Sequence, residues 1–486
     1  MLFNSFTFAL FLPIVFLLYW FVFNRNLRLQ NLFIVVTSYI FYGWWNWRFL
    51  FLIAFTSLCS YGAGLLMQFV DNKKTWITPK AVSIANIVVN LIVLGIFKYY
   101  NFFVESFVAA FASLGIHLQT TTLHIILPVG ISFYTFHALS YSIDVYKKRV
   151  PATKDIIGFF TFISFFPLLV AGPIERATHL LPQMHQKRTF NYNLAVDGLR
   201  QILWGLFKKI VVADRCAIYV NMIFGNSQNQ MGSTLFLAAV LFAFQIYGDF
   251  SGYSDIAIGV ANLFGINVMR NFTYPYFSRD IAEFWRRWHI SLTTWLRDYV
   301  YIPLGGSRVS ITKVIRNTFV IFLVSGFWHG ANWTFIAWGA FHAVLFLPLI
   351  LLNQNRKYTN TVAEGKLLPS MKEIWQMGLT FLLVVIGWVF FRADSISQAF
   401  EYLKGMMDKS LIYLPSTDKL FILLCLFYTF FMLLIEWQQR GNQHGLETFG
   451  LGWNKWLRYT FYLILSFIIL SYSLLGESPD FIYFQF

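Results

Sequence analysis

Charge is what this 486-residue sequence has least of. Asp, Glu, Lys and Arg together supply 12% of it, against 57% hydrophobic residues, which leaves too few polar groups for a water-facing surface. That balance excludes a secreted enzyme, a nucleic-acid-binding domain and a disordered scaffold. Cysteine is equally scarce. Cys59, Cys216 and Cys425 complete the set of three, are too widely spaced for a disulfide framework or a metal-ligand set, and read as packing residues. The opening apolar stretch lacks the basic n-region of a signal peptide and runs into Asn24 and Arg25 without a small-residue cleavage site. It is therefore expected to stay as the first span. Catalytic signatures are missing too: there is no GxSxG elbow, no GxxxxGKS or GxxxxGKT phosphate loop, no HExxH zinc pair, and no His followed five residues later by Asp. Hydrolase, ATPase and metalloprotease readings lose their usual support, and no metal site is expected.

What is present is a series of apolar runs near the roughly 20 residues a helix needs to cross the hydrocarbon layer. Clear spans are expected near 6–23, 31–45, 49–70, 81–98, 156–172, 234–250, 374–391, 420–436 and 456–475. Two stretches are less regular. In 102–146, Pro128 and Gly130 interrupt a segment with recurrent polar side chains, which suits a bent or re-entrant helix enclosed by protein. The apolar stretch 318–352 would be about 50 Å long as one helix, so it either tilts steeply or breaks near Gly326 and Gly330. Lys plus Arg, 37, less Asp plus Glu, 22, gives a formal charge of +15, and those cations must sit at the membrane faces. They cluster at Arg25/Arg28, Lys73/Lys74/Lys80 and Lys147/Lys148/Arg149/Lys154; counting spans between the first two clusters puts the N-terminus outside, and the third fits only if 102–146 contributes an odd number of crossings. No long polar segment separates the runs, so residues 1–486 read as one integral domain.

Chemistry collects in the irregular segments. His329, in VSGFWHGANW, lies within the long apolar stretch, and an intramembrane ionisable side chain is by default a candidate site. Gly326 and Gly330 would let another chain or a substrate approach, and Ser325 and Trp333 would lie one turn to either side on the same helix face. The alternative is a structural histidine bonded to a neighbouring helix. His342, about 220° further round such a helix, is assigned to packing. In AEFWRRWHISLTTWLRDYVYIPLGG, residues 282–306, Trp285, Trp288, Leu292, Trp295, Leu296 and Tyr299 form an apolar stripe opposite Arg286, Arg287, Thr294, Arg297 and Asp298. This reads as an amphipathic interfacial helix with His289 at the stripe's margin, either meeting a polar substrate at a tunnel mouth or merely snorkelling. Three polar clusters could line a hydrophilic passage or mark helix ends that reach water: Tyr134, His137 and Asp144; Gly172, Pro173, Glu175 and Arg176; and Asp249, Ser251, Tyr253 and Asp255.

The segments FWRRWHISLTTWLRDYVYIPLGG and SGFWHGANWTFIAWGAFHA, with LVAGPIER, DFSGYSDIAIGVANLFGI and the closing FIYFQF, resemble the membrane-bound O-acyltransferase family. Within it the chain looks most like the bacterial alginate O-acetylation and peptidoglycan O-acetyltransferase A types, more distantly like the D-alanyl transfer protein of teichoic acid synthesis, and the likeness runs from MLFNSFTF to the last residue. The resemblance implies an all-α, multi-pass integral membrane protein. It would be a ring of tilted helices, about 11 or more, around a central tunnel, with re-entrant and interfacial helices. It also implies catalytic roles for His329 and His289; the interfacial reading of its segment and the placement of the basic clusters put His289 at the outer mouth, where it would orient or deprotonate the acceptor. Ser325, Trp328, Asn332, Trp285, Asp298, Tyr134 and Asp249 are then candidate tunnel or substrate residues. Asn332, Trp328 or backbone N–H groups near Gly330 could stabilise an oxyanion, and Asp298 or a backbone carbonyl could orient His289.

The implied activity is movement of an acetyl group from cytosolic acetyl-CoA across the bacterial cytoplasmic membrane for O-acetylation of a surface polysaccharide. Membrane lipid, acetyl-CoA, a periplasmic acetyltransferase partner protein and the polysaccharide acceptor are the expected partners, without nucleic acid and without a tightly bound cofactor. Two rivals remain: a transporter of a polar solute or lipid-linked sugar, and a long-chain acyltransferase acting on lipid or protein.

Overall fold

The computed structural model describes residues 1–73, 76–118, 127–415, 419–474 and 481–482. Lys74 of the second basic cluster and residues 483–486 of the closing motif lie outside the described residues. Those described form helices and connecting turns, and no strand occurs among them. Among the described residues, eight helical stretches are long and apolar enough to cross a membrane: Leu27–Asn72, Pro79–Ala112, Gly232–Leu263, Ile311–His329, Trp333–Leu351, Met371–Arg392, Lys419–Gln438 and Lys455–Leu474, joined by the shorter apolar Phe6–Val22. The chain divides into two compact units, Met1–Ala195 with Ala261–Met269, and Val196–Val260 with Arg270–Phe486.

The first unit is turned inside out relative to a soluble bundle. Along the Leu27–Asn46 helix the buried side chains include Gln30, Asn31, Thr37 and Ser38, while Leu29, Leu32, Val36 and Ile40 are exposed. The next helix, Leu50–Asn72, buries Thr56, Ser57 and Ser60, and Ser60 takes hydrogen bonds from the amides of Asn86 and Asn90 on the Pro79–Leu94 helix at 3.3 and 3.4 Å. Interhelical hydrogen bonds of this kind join helices that lipid would not drive together. Two expectations change. The Pro79–Leu94 helix does not stop near 98 but continues through a wider turn, Gly95–Tyr99, into Tyr100–Ala112. The 156–172 run is not one span: its helix, Ile156–Ser164, is nine residues long and ends where Phe165 turns extended ahead of Pro167, and Phe166–Leu169 adds only a single turn.

In the second unit the 32-residue Gly232–Leu263 helix, about 48 Å long, carries acids that meet consecutive lysines of the wide-turn segment Phe207–Ala213. Lys208 Nζ is 2.6 Å from Asp255, and Lys209 Nζ is 2.7 Å from Asp249 and 2.9 Å from Asp214. Buried charges persist in this way only when paired. Cys216 and Cys425 are buried in this unit, and all three cysteines are unbridged.

The long apolar stretch breaks. Ile311–His329 ends at His329, Gly330 is extended, and Trp333–Leu351 begins with Asn332 as its cap. Trp333 therefore does not share a helix face with His329. Of the two approaches expected at Gly326, by another chain or by a substrate, the first is the one seen, because a Cβ on Gly326 would lie 2.2 Å from the Phe335 carbonyl oxygen and one on Gly339 2.4 Å from that of Phe322. The two helices pack backbone to backbone, as small residues permit. Gly326→Ala should thus force the helices apart and destabilise the protein by about 1–3 kcal/mol, lowering its thermal unfolding midpoint in detergent. Gly378→Ala, where nothing lies within 4 Å, should leave the midpoint unchanged or slightly raised.

Candidate active site

The expected amphipathic helix over 282–306 is two short helices, Ile281–Arg287 and Ile290–Leu296, followed by a wide turn over Arg297–Tyr301. The break falls on His289, whose backbone is left-handed (φ 44°, ψ 53°). A non-glycine residue held there costs about 1–3 kcal/mol and persists only where its surroundings demand it. The reading of His289 as interfacial is overturned: it is 1% exposed, because the break turns its side chain inward. Trp285, Trp288, Leu292, Trp295, Leu296 and Tyr299 are buried with it.

His329 is buried as well, at 3% exposure. The two imidazole centroids lie 6.3 Å apart, with the Trp328 ring 5.9 Å from His289 and 4.9 Å from His329. Trp338 and Phe391 pack edge-on to His329 at 5.2 and 5.3 Å, and Phe250 packs edge-on to His289 at 4.6 Å.

His289 is oriented by Asn271, a residue that sequence reading missed. The Asn271 Oδ1 is 3.0 Å from His289 Nδ1 and also accepts the Ser291 hydroxyl at 2.9 Å, while its Nδ2 donates to Ser254 at 3.1 Å. An amide oxygen only accepts, so Nδ1 carries the proton and Nε2 has the basic lone pair. The segment bearing His289 lies between the crossing helices, and burial pushes this imidazole down to about 3, so it is neutral at neutral pH. The expected orienting group, Asp298, holds the Arg297 guanidinium at 2.7 Å.

The remaining candidates separate into two groups. Ser325, one turn ahead of His329 on the same helix face, and Trp285 line a cavity of about 480 Å3. Its buried lining includes Phe322 and Thr318, and its exposed lining includes Arg297 and Arg356, with Arg286 half-buried. Of the other candidates, Asn332 and Asp249 hold structural bonds. Asn332 caps its helix through the Thr334 N–H and donates to the Asp394 carbonyl, both at 3.0 Å. Asp249 pairs with Lys209 and accepts the Ile482 N–H at 2.7 Å. Tyr134 is fully buried on the Ile131–Tyr146 helix of the first unit. On the same helix His137 accepts the Glu175 N–H at 3.0 Å, and Asp144 pairs with Arg149 at 3.2 Å. His342 accepts the Trp285 indole N–H at 3.3 Å, a packing position.

A family model described as MBOAT, membrane-bound O-acyltransferase family, matches residues 39–391, which span both histidine segments. The chain belongs to the membrane-bound O-acyltransferase family. It is 41% identical to a Pseudomonas aeruginosa protein named "Probable alginate O-acetylase AlgI", over 83% of this chain and 74% of that one. It is 34% identical to a Helicobacter pylori protein named peptidoglycan O-acetyltransferase, over 100% and 98%. To a Streptococcus thermophilus teichoic acid D-alanyltransferase it is 30% identical, over 54% and 68%. This O-acyltransferase is thus a multi-pass, all-helical membrane enzyme.

Asn271→Ala removes the acceptor for His289 Nδ1–H and leaves the ring free to rotate. Acyl-transfer rate should fall by about 10-fold or more, whereas Asn271→Asp, which keeps an acceptor at that place, should retain most of it. Equal rates for the two variants would show that the Asn271 bond does not orient the imidazole.

Proposed function

We propose that this enzyme carries an acetyl group from cytosolic acetyl-CoA across the bacterial cytoplasmic membrane for O-acetylation of a cell-surface polysaccharide, alginate-like or peptidoglycan. The observation that carries this reading is a pair of buried imidazoles, one of them a helical turn from a cavity whose exposed lining includes Arg297 and Arg356. The printed names of the alginate and peptidoglycan relatives support the acceptor class. Acetyl-CoA suits the cavity by its chemistry. Its phosphates are partners for the forked donor of the exposed Arg356, which pairs with no carboxylate among the described residues, and its small neutral acetyl thioester suits the apolar surroundings of Trp285, Phe322 and Ser325. The chain offers no long polar segment to hold a glycan, so a periplasmic partner protein is the expected receiver. The basic clusters support a cytosolic donor side and an outer N-terminus.

In this reading His329 takes the proton of the acceptor hydroxyl as the oxygen attacks the thioester carbonyl. The tetrahedral intermediate collapses, the C–S bond breaks, and the departing thiolate takes up the proton. The Trp328 indole and backbone N–H groups near Gly330 are candidate donors to the developing oxyanion. His289, neutral and with Nε2 as its acceptor, orients the incoming hydroxyl.

His329→Ala should cut the acetyl-ester content of surface polymers, and label exchange with acetyl-CoA, by about 100-fold or more. Normal acetylation at normal protein levels would overturn the assignment, and a thioester left intact by the wild-type protein would favour a transporter. His289→Ala should abolish transfer to the acceptor while leaving acetyl-CoA binding largely unchanged. A large loss of donor binding with the fold intact would put His289 on the donor instead.

A further inference from the structure

Within the first unit, the start of the Leu27–Asn46 helix and the start of the Ile156–Ser164 helix meet at a pocket of about 630 Å3, whose lining includes Asn26, Arg28, Asn31, Lys154, Asp155 and His185. Arg28 and Lys154 are exposed, and neither pairs with a carboxylate among the described residues. The one acid in the lining is committed elsewhere. Asp155 Oδ1 caps its helix by accepting the Ile157 N–H at 3.1 Å, and Oδ2 faces His185 Nε2 at 3.7 Å. Both helix starts add partial positive charge.

Directly behind Asn31 lies Arg188, 5% exposed. Among the described residues its guanidinium reaches neutral groups alone, including Asn31 Oδ1 at 2.8 Å and the Tyr19 hydroxyl at 3.3 Å, and its Nε finds no hydrogen-bond partner there. A buried guanidinium without a counter-charge is costly, and an anion at the pocket would offset that cost. Apart from His185, the three cations Arg28, Lys154 and Arg188 against Asp155 leave a formal local charge of +2.

A second feature selects the anion. Immediately after Arg28, the exposed residues Leu29, Leu32, Val36 and Ile40 fall within an arc of about 80° at 100° per residue, on a stretch long and apolar enough to cross a membrane. We propose that the pocket binds the headgroup phosphate of an anionic phospholipid, whose acyl chains lie along this stripe. A free phosphate would satisfy the cations and gain nothing from the stripe. Basic pockets between crossing helices suit anionic headgroups for the same reason. The site is independent of the acyl-transfer reading.

The test titrates purified full-length protein in a non-ionic detergent with dioleoyl-phosphatidylglycerol, using dioleoyl-phosphatidylcholine as reference and native mass spectrometry as readout. One phosphatidylglycerol should be retained about 10-fold more tightly than phosphatidylcholine. In the R28Q/K154Q double variant that preference should fall to about 3-fold or less, while Lys73→Gln with Lys80→Gln, at another basic cluster, should keep it. An equal affinity of the wild type for both lipids, or an unchanged preference in R28Q/K154Q, would overturn the proposal. So would complete displacement of the lipid by inorganic phosphate at the same concentration, which would assign the pocket to a free anion. The wild-type comparison stands by itself if the double variant does not fold.

Discussion

Backbone contact between the Ile311–His329 and Trp333–Leu351 helices is the constraint on which the candidate active site depends. With no side chain at Gly326 or Gly339, each of these helices lies against a carbonyl of the other, and the connection between them is only Gly330 to Asn332. A helix that stops inside the protein leaves its last carbonyls without intrahelical partners, so such an ending needs support from its surroundings. Here the ending presents His329 to a wall of Trp328, Trp338 and Phe391. A wider crossing would leave space beside the imidazole and loosen its orientation.

The second break acts in concert with the first. The left-handed backbone of His289 is a local cost that the chain sustains, since it turns the imidazole inward toward His329. Asn271 meets that ring with its amide oxygen and ties back to Ser254 on the Gly232–Leu263 helix through its amide nitrogen. The candidate site is therefore assembled from three helix ends or connections and a long helix. This polar relay consists of neutral groups, which are less costly to bury than charges.

Charge follows a different rule in the interior from that at the edges. Lys208 and Lys209 are matched by Asp255, Asp249 and Asp214 at ion-pair distance, and those pairs serve to join helices. Arg356 in the lining of the cavity near Ser325 and Arg28 with Lys154 at the first-unit pocket are exposed, and none of them pairs with a carboxylate among the described residues. Cations of that kind are available to ligands. Arg188 breaks the interior rule, being buried among neutral partners, which is why it points to an anion nearby.

Much of this protein was legible from its sequence. Composition alone required a multi-pass helical membrane protein, and most apolar runs correspond to observed helices, because the length of a crossing is set by the bilayer and needs no partner. His329 stood out since an imidazole in an apolar run is costly without a role. The burial of His289 was not legible: a helical wheel assumes a continuous helix, and one left-handed residue redirects everything after it. Asn271 was hidden for a related reason, lying 18 residues away in a segment without periodicity and becoming meaningful only when folding brings its amide to the ring. The same holds for Gly326, whose neighbour is the returning helix and not a substrate. Residue types and spacings decide which segments cross the membrane, while the tertiary structure decides which side chains meet, because backbone breaks and close helix contacts depend on partners remote in the chain.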